Sequence, residues 1–274
     1  MAGLYLHIPF CRQACYYCDF HFSTDTHHRS ELVQALMREL ELQKNYTQEP
    51  IRTLYFGGGT PSLLTRDELA GLMDAVRENY SLDATAEITL EANPDDLTPE
   101  HLKDLHQVGV NRLSIGIQSF DPNTLRFLHR VHDADRARQC LHDARDAGFN
   151  NISIDLIYAI PGHGEESWAG ALREAIGFSP EHISSYALTI EERTVFGNWK
   201  KRGKLVPAQE ETAARQFERL MDVLSAAGYD HYEISNFSKP GFQSKHNSSY
   251  WAGVPYLGIG PSAHSFDGAT RQFN

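Results

Sequence analysis

The sequence predicts an α/β fold, a partial (open) barrel of six strand–helix units followed by the start of a C-terminal extension. Three observations lead there. Short runs with strand character alternate six times with amphipathic helical runs, which is the grammar of a parallel sheet. Capping residues mark where the helices begin and end. Within the strands an apolar face opposes a polar or small one, whereas a sheet covered by helices on both sides reads as apolar on both. A polar face repeated over four strands implies an interior filled by water or ligand, and so an open barrel rather than a doubly wound sheet.

Taken in order, strands are expected over residues 4–8, 53–56, 87–92, 112–119, 151–160 and 182–190. In the first, Leu4, Leu6 and Ile8 oppose Tyr5 and His7. In the third, Ile88, Leu90 and Ala92 oppose Glu87, Thr89 and Glu91; in the fourth, Leu113, Ile115 and Ile117 oppose Ser114, Gly116 and Gln118. In the fifth, Ile152, Ile154 and Leu156 oppose Ser153 and Asp155. The first helix carries Leu32, Leu36 and Leu40 on one face, and the second Leu69, Leu72, Met73 and Val76. Thr65 and Glu68 read as a capping box, while Thr98-Pro99 and Asp121-Pro122 put a cap residue ahead of proline at the first helical position. Gly109 and Gly148 stand where a helix ends in a left-handed residue. Beyond the sixth strand, residues 207–227 predict a helix closed by Gly228, and residues 229–237 a strand. From Ser238 the chain is rich in Gly, Pro, Ser and aromatics without a period and reads as loop. The expected division is a barrel over residues 1–205 and an extension over residues 206–274.

A formal net charge of -11 speaks against a nucleic-acid partner held by a basic face, and no Lys/Arg block is expected. The N-terminus has no basic leader and no later run is long enough to span a bilayer, so a cytoplasmic protein with reduced thiols is expected.

Three of the four cysteines, Cys11, Cys15 and Cys18, fall within eight residues behind the first strand. Four thiolates would close a tetrahedral zinc site or saturate an iron–sulfur cube. Three leave one iron of a 4Fe-4S cluster without a protein ligand, open to a small molecule. The alternative is a zinc knuckle completed by His7, His21 or Asp19, but structural zinc loops pair their ligands as CxxC and no second pair exists. Three clustered cysteines do not pair evenly as disulfides, and Cys140 lies in a helical pattern as a core residue.

The run Gly57-Gly58-Gly59-Thr60-Pro61 follows the second strand, at the strand end where α/β barrels bind ligands. Its glycines either let backbone N–H groups approach a ligand or only make a tight turn. Glu91, Gln118 and Asp155 are expected on the polar face at one level of three neighbouring strands. They converge on one space, to bind a ligand or to hydrogen-bond one another.

The cysteine loop behind a short strand, with Tyr17 just before its last cysteine, resembles the signature of the radical S-adenosylmethionine (SAM) superfamily. That resemblance implies a partial six-unit barrel and a 4Fe-4S cluster on Cys11, Cys15 and Cys18, its free iron chelated by the methionyl amine and carboxylate of SAM. In the family, electron transfer from the cluster cleaves the sulfonium and yields a 5'-deoxyadenosyl radical. The resemblance also implies that Gly58, Gly59 and Thr60 meet the methionine end of SAM, and that Tyr5, Tyr17, Glu91, Gln118, Arg130 and Asp155 contact it. Taken alone, Arg130 reads equally as a surface cation.

From Tyr5 to Phe266 the chain resembles the branch that contains oxygen-independent coproporphyrinogen III dehydrogenase and the haem chaperone group. The dehydrogenase extends its loop to CxxxCxxCxC, and here that further position is Phe20. His246, Asn247, Tyr250 and Trp251 match the HNxxYW motif of the haem chaperones, which implies haem as a further cofactor and a haem-accepting, membrane-associated partner. Histidine is the commonest ligand of haem iron, and Tyr250 and Trp251 offer flat apolar surface to a porphyrin. The plainer alternative is an aromatic loop packed on the barrel mouth with a hydrogen-bonded histidine. Members of the branch continue into a further C-terminal domain, so the resemblance also makes the extension an incomplete one.

Overall fold

The computed structural model describes residues 2–274. Its elements run β1 (Ala2–Ile8), α1 (Arg29–Leu42), β2 (Ile51–Gly58), α2 (Arg66–Asn79), β3 (Leu82–Ala92), α3 (Pro99–Val108), β4 (Arg112–Gln118), α4 (Pro122–Phe127), α5 (Ala134–Asp146), β5 (Ile152–Tyr158), α6 (Glu165–Gly177) and β6 (His182–Ala187). They continue with α7 (Val195–Lys201), α8 (Glu210–Ala226), β7 (Asp230–Glu233), β8 (Asn236–Ser238), α9 (Lys245–Trp251), β9 (Tyr256–Ile259), β10 (His264–Phe266) and β11 (Arg271–Phe273).

All six expected strands form and pair in parallel from β1 to β6. One open sheet results, in the order β11-β10-β9-β1-β2-β3-β4-β5-β6-β8-β7. Its two faces divide as the alternation demands. Leu4, Leu6, Ile8, Leu54, Leu90, Ile115 and Ile154 are fully buried under the helices, each worth about 1.5–3 kcal/mol of burial. Glu87, Thr89, Arg112, Ser114, Ser153, His182 and Ser184 are equally buried on the other, concave face, which is the barrel interior. The helix signals hold as well. Thr65 and Glu68 complete a capping box, Thr98 and Asp121 cap their helices ahead of proline, and Gly109 ends α3 at φ +112.

The departures lie after β5. The sixth strand stops at Ala187 instead of residue 190, because Thr194 caps a new helix by accepting from the N–H of Gly197 at 3.0 Å. That helix, α7, was not expected. Lys200, Lys201, Arg202 and Lys204 at its end form a short basic block, which corrects the expectation that the chain has none. The strand expected over 229–237 is two strands, β7 and β8, folded back at Ile234 so that β8 runs antiparallel to β6. The segment from Ser238 is not loop. It holds α9 and three strands, and β9 pairs in parallel with β1. Strands beyond residue 206 thus extend both edges of the barrel sheet rather than form a sheet of their own. Among the described residues no helix is long and apolar enough to cross a membrane.

Candidate functional site

The cysteine loop leaves β1 at the C-terminal end of the sheet and is clasped at its base. Cys11 N–H donates to Ser23 O at 2.9 Å and Ser23 N–H to Pro9 O at 2.7 Å. Further along, Gln13 Nε2 donates to His129 O at 2.8 Å, and His129 Nδ1 returns to Ala14 O at 2.9 Å. Arg12 reaches Asp96 at 2.6 Å, and Ser62 holds the other oxygen of that carboxylate at 2.9 Å.

Two of the three thiols are tied into one hydrogen-bonded circuit. Thr60 Oγ1 donates to Cys11 Sγ at 3.4 Å and accepts from Asn93 Nδ2 at 3.1 Å. Asn93 Oδ1 in turn accepts from Arg130, whose other nitrogen lies 3.3 Å from Cys15 Sγ and 3.4 Å from the Tyr17 hydroxyl. Arg130 is therefore no ordinary surface cation. Its guanidinium turns inward and donates to Gly116 O at 3.0 Å; burial works against its charge, and its neighbours more than offset that, so its pKa stays above the ordinary arginine value. A Cβ on Gly116 would meet Gln118 Nε2 at 2.9 Å and Arg130 at 3.3 Å, so both side-chain ends would have to shift.

Of the expected ligand residues, Tyr17, Thr60 and Arg130 gather at the thiols, with Gln118 beside Arg130. Gly58 donates its N–H to Glu91 at 3.1 Å, and Tyr55 donates to the same carboxylate at 2.8 Å. Burial pushes the Glu91 carboxyl up to about 7 and that of Asp155 up to about 6. Tyr5 donates to His7 Nδ1 at 3.1 Å, and His7 Nε2 donates to His21 O at 3.0 Å, so His7 is held as a strut. The glycines serve close packing within the chain. A Cβ on Gly59 would strike the backbone of Pro9 and Phe10 at 2.7 Å, and one on Gly58 the ring of His7.

Glu91, Asp155 and Gln118 do not lie at one level. Glu91 pairs with Ser114 and Ser114 with Ser153, so Asp155 stands two residues nearer the strand ends. Gln118 stands higher still, beside Leu156, after an irregularity in β4 and with φ +64. They form a rising staircase toward the cysteine loop. Asn93, Asp96, Ser62 and Tyr55 were missed by sequence reasoning; the polar run around Asn93 directly after β3 was the available signal.

The HNxxYW residues sit at the other end. They form α9, not a loop at the barrel mouth, and α9 plugs the N-terminal end of the interior. Its first N–H groups, from Lys245 and His246, donate to the buried Glu87 carboxylate at 3.2 and 3.1 Å. His246 is 1% exposed, stacks on Tyr55 with ring centroids 5.0 Å apart, and shares hydrogen bonds with Thr53 and Tyr250, each at 2.8 Å. Burial first, then the charge of Arg112, lowers it to about 3, so it is neutral. Trp251, by contrast, is 70% exposed and Tyr250 38%. Along β1 the distance from Gly3, beside His246, to Ile8 at the cysteine loop is roughly 16 Å.

The thiol end fits an iron–sulfur cubane. Three free, half-buried thiols share one loop, and Cys140 is a core residue donating to Ala137 O at 3.2 Å. Among the described residues no three His, Cys, Asp or Glu close on a single ion. Beside the thiols, Arg130 Nε is buried without a hydrogen-bond partner, and so are both Asp95 oxygens, which lie 3.5 Å from Arg12 and 3.9 Å from His132. A buried arginine on a sulfur matches thiolate charge, and unfilled donors and acceptors leave capacity for a polar ligand.

Comparison with known proteins gives the same direction. Residues 5–175 match the model of the radical SAM superfamily. The haem chaperone HemW of Lactococcus lactis is 40% identical over 98% of this chain and 71% of its own length, and that of Bacillus subtilis 39% over 100% and 73%. Among solved structures, the radical SAM enzyme coproporphyrinogen III oxidase (HemN) from Escherichia coli superposes over 100% of this chain with a TM-score of 0.86 at 27% identity. The chain spans 66% of that structure. Taken with the three-thiol loop and the open parallel barrel, these likenesses show that the chain belongs to the radical SAM superfamily and, within it, to the HemW family.

Proposed function

We propose that the protein is a haem chaperone: it binds haem, keeps a 4Fe-4S cluster with exchangeable SAM, and passes haem to an acceptor protein, which we take to be membrane-associated. The observation that carries this reading is likeness to HemW proteins over nearly the whole chain, at 40% identity against 27% to HemN. Phe20 at the position of the dehydrogenase's further cysteine supports it. Membership of the superfamily implies the cluster and SAM as cofactors. In our reading the protein works in the cytoplasm, with residues 1–205 as the cofactor-binding barrel and residues 206–274 as its haem-contacting extension.

We assign Cys11, Cys15 and Cys18 to the cluster. When bound, the cluster and SAM supply one-electron chemistry at a sulfonium; every other task falls to the chain. Thr60 and Arg130 donate to the sulfurs of Cys11 and Cys15, and the Arg130 charge offsets their thiolates. Gly58, Gly59 and Thr60 shape the wall facing the methionine end of SAM. Tyr5, Tyr17, Glu91, Gln118 and Asp155 are our further candidates for contact with SAM. Glu91 and Asp155, as carboxylates, favour a cationic ligand over a neutral one.

For haem we assign Tyr250, Trp251 and Asn247 as the contact surface. His246 reaches iron only by giving up one partner, Tyr250 at Nε2 or Thr53 at Nδ1. Haem titrated into anaerobically reconstituted protein tests this assignment. Trp251→Ala is expected to weaken haem binding about tenfold while stability stays within about 0.5 kcal/mol, since the ring is mostly exposed. Unchanged binding would remove α9 from the haem site. Protoporphyrinogen IX formed from coproporphyrinogen III with SAM and reductant would refute the chaperone reading.

A further inference from the structure

We propose that the basic groove along α7 is the docking surface for an acidic one-electron carrier protein that reduces the centre held by the cysteine loop. The inference rests on the cluster assignment above and deepens it. In a chain of net charge -11, the stretch from Glu191 to Lys204 holds five cations, Arg193, Lys200, Lys201, Arg202 and Lys204, against two carboxylates. Most arginines elsewhere on this surface are ion-paired, as Arg138 is with Glu174 and Arg145 with Glu181. Lys200, Lys201, Arg202 and Lys204 are exposed and have no side-chain partner among the described residues. Arg202 and Lys204, with Arg193 and Trp199, line a groove of about 350 Å³.

The groove lies against the cysteine loop. Phe196 N–H donates to Tyr16 O at 3.0 Å, and Arg193 pairs with Asp19, the residue after Cys18, at 3.3 Å. Tyr16, the neighbour of Cys15, meets Trp199 edge-on with ring centroids 5.2 Å apart and stacks on His129 at 4.1 Å. An aromatic path thus leads from the groove wall to the residue beside a thiol. Exposed Phe20 and Val206 give the patch apolar area between its charges, the composition of a protein-binding surface rather than a small-ion site. Unpaired cations on an acidic protein steer an acidic partner to this face and away from the rest. In the transfer the carrier's reduced flavin or iron–sulfur group loses one electron and the loop's centre gains it; no bond is made or broken.

The test compares wild type with Lys200→Glu/Arg202→Glu/Lys204→Glu, using a reduced flavodoxin as the acidic probe. Iron and acid-labile sulfide content and bleaching by dithionite first report whether the centre is present and reducible. Flavodoxin-driven bleaching is expected to slow at least tenfold in the variant at low salt, and to slow similarly in wild type as salt rises to about 0.3 M. Flavodoxin binding to cluster-free protein is expected to fall in parallel, while dithionite reduction is unchanged. A centre that forms and accepts electrons from flavodoxin equally in both proteins overturns the docking proposal alone. So does a variant that loses binding to anionic lipid vesicles, or to haem, with flavodoxin reduction intact. Absence of iron and sulfide defeats the cluster assignment, and the binding arm then still decides whether the groove holds an acidic protein.

Discussion

The two ends of the barrel interior are built from the same kinds of residue and yet differ in what those residues surround, a packed histidine at one end and three thiols at the other. At the N-terminal end, α9 drives His246 against Tyr5, Tyr55 and Thr53, and both ring nitrogens and the first helical N–H groups find partners. At the C-terminal end, Arg130 lies beside Cys15 with its Nε left without a hydrogen-bond partner, as are Arg112 Nε and Thr89 Oγ1 deeper in the interior. A filled network stabilises, and an unpaired donor beside a thiol leaves capacity for a ligand. The histidine in the more conspicuous motif is thus a packing residue in this conformation, and its neighbours Tyr250 and Trp251 carry what the motif presents outward.

Three substitutions sharpen that contrast. The largest effect on stability is expected from His246→Ala, which opens a cavity and strips two hydroxyls and a ring stack of their partner: a loss of about 2–4 kcal/mol, read by urea denaturation. A variant as stable as wild type would mean that the plug is not under tension to stay. Arg130→Met should leave the fold in place but lower cluster retention about 10- to 100-fold during gel filtration with a chelator, as loss of a neighbouring donor does at other metal sites. Equal retention would detach the hydrogen-bonded circuit from the thiols' function. The smallest effect concerns protons. Because burial raises Glu91 to about 7, it is protonated below that pH, and a cationic ligand must displace the proton. SAM affinity is expected to fall by up to about tenfold per pH unit below 7, and Glu91→Gln to flatten the profile. The same shift sets a sign for stability. A carboxyl raised in the folded state favours folding below its ordinary range and loses that contribution as pH rises through about 7, so the urea midpoint difference between wild type and Glu91→Gln should narrow toward acid.

Much of this was legible in the residues. The apolar–polar alternation in β1, β3, β4 and β5 located the interior, and the CxxxCxxC spacing located the loop, because both are local patterns with a fixed period. What escaped was non-local. Nothing in the run from Ser238 announces that Tyr256 to Ile259 pairs with β1, since a four-residue strand among glycines carries no period of its own. The staircase from Glu91 through Asp155 to Gln118 depends on register, which alternation within one strand does not specify. Asn93 was not singled out, and only the fold shows it joining Thr60 to Arg130.

The central claim is that three thiols leave one iron of a cubane open above the polar side chains of the barrel interior. Anaerobic reconstitution with iron and sulfide, followed by electron paramagnetic resonance of the reduced protein with and without SAM, tests it most directly. The account predicts about four irons per chain and a signal that changes when SAM is added. A protein that takes up no iron and sulfide, or whose signal is indifferent to SAM, would contradict it.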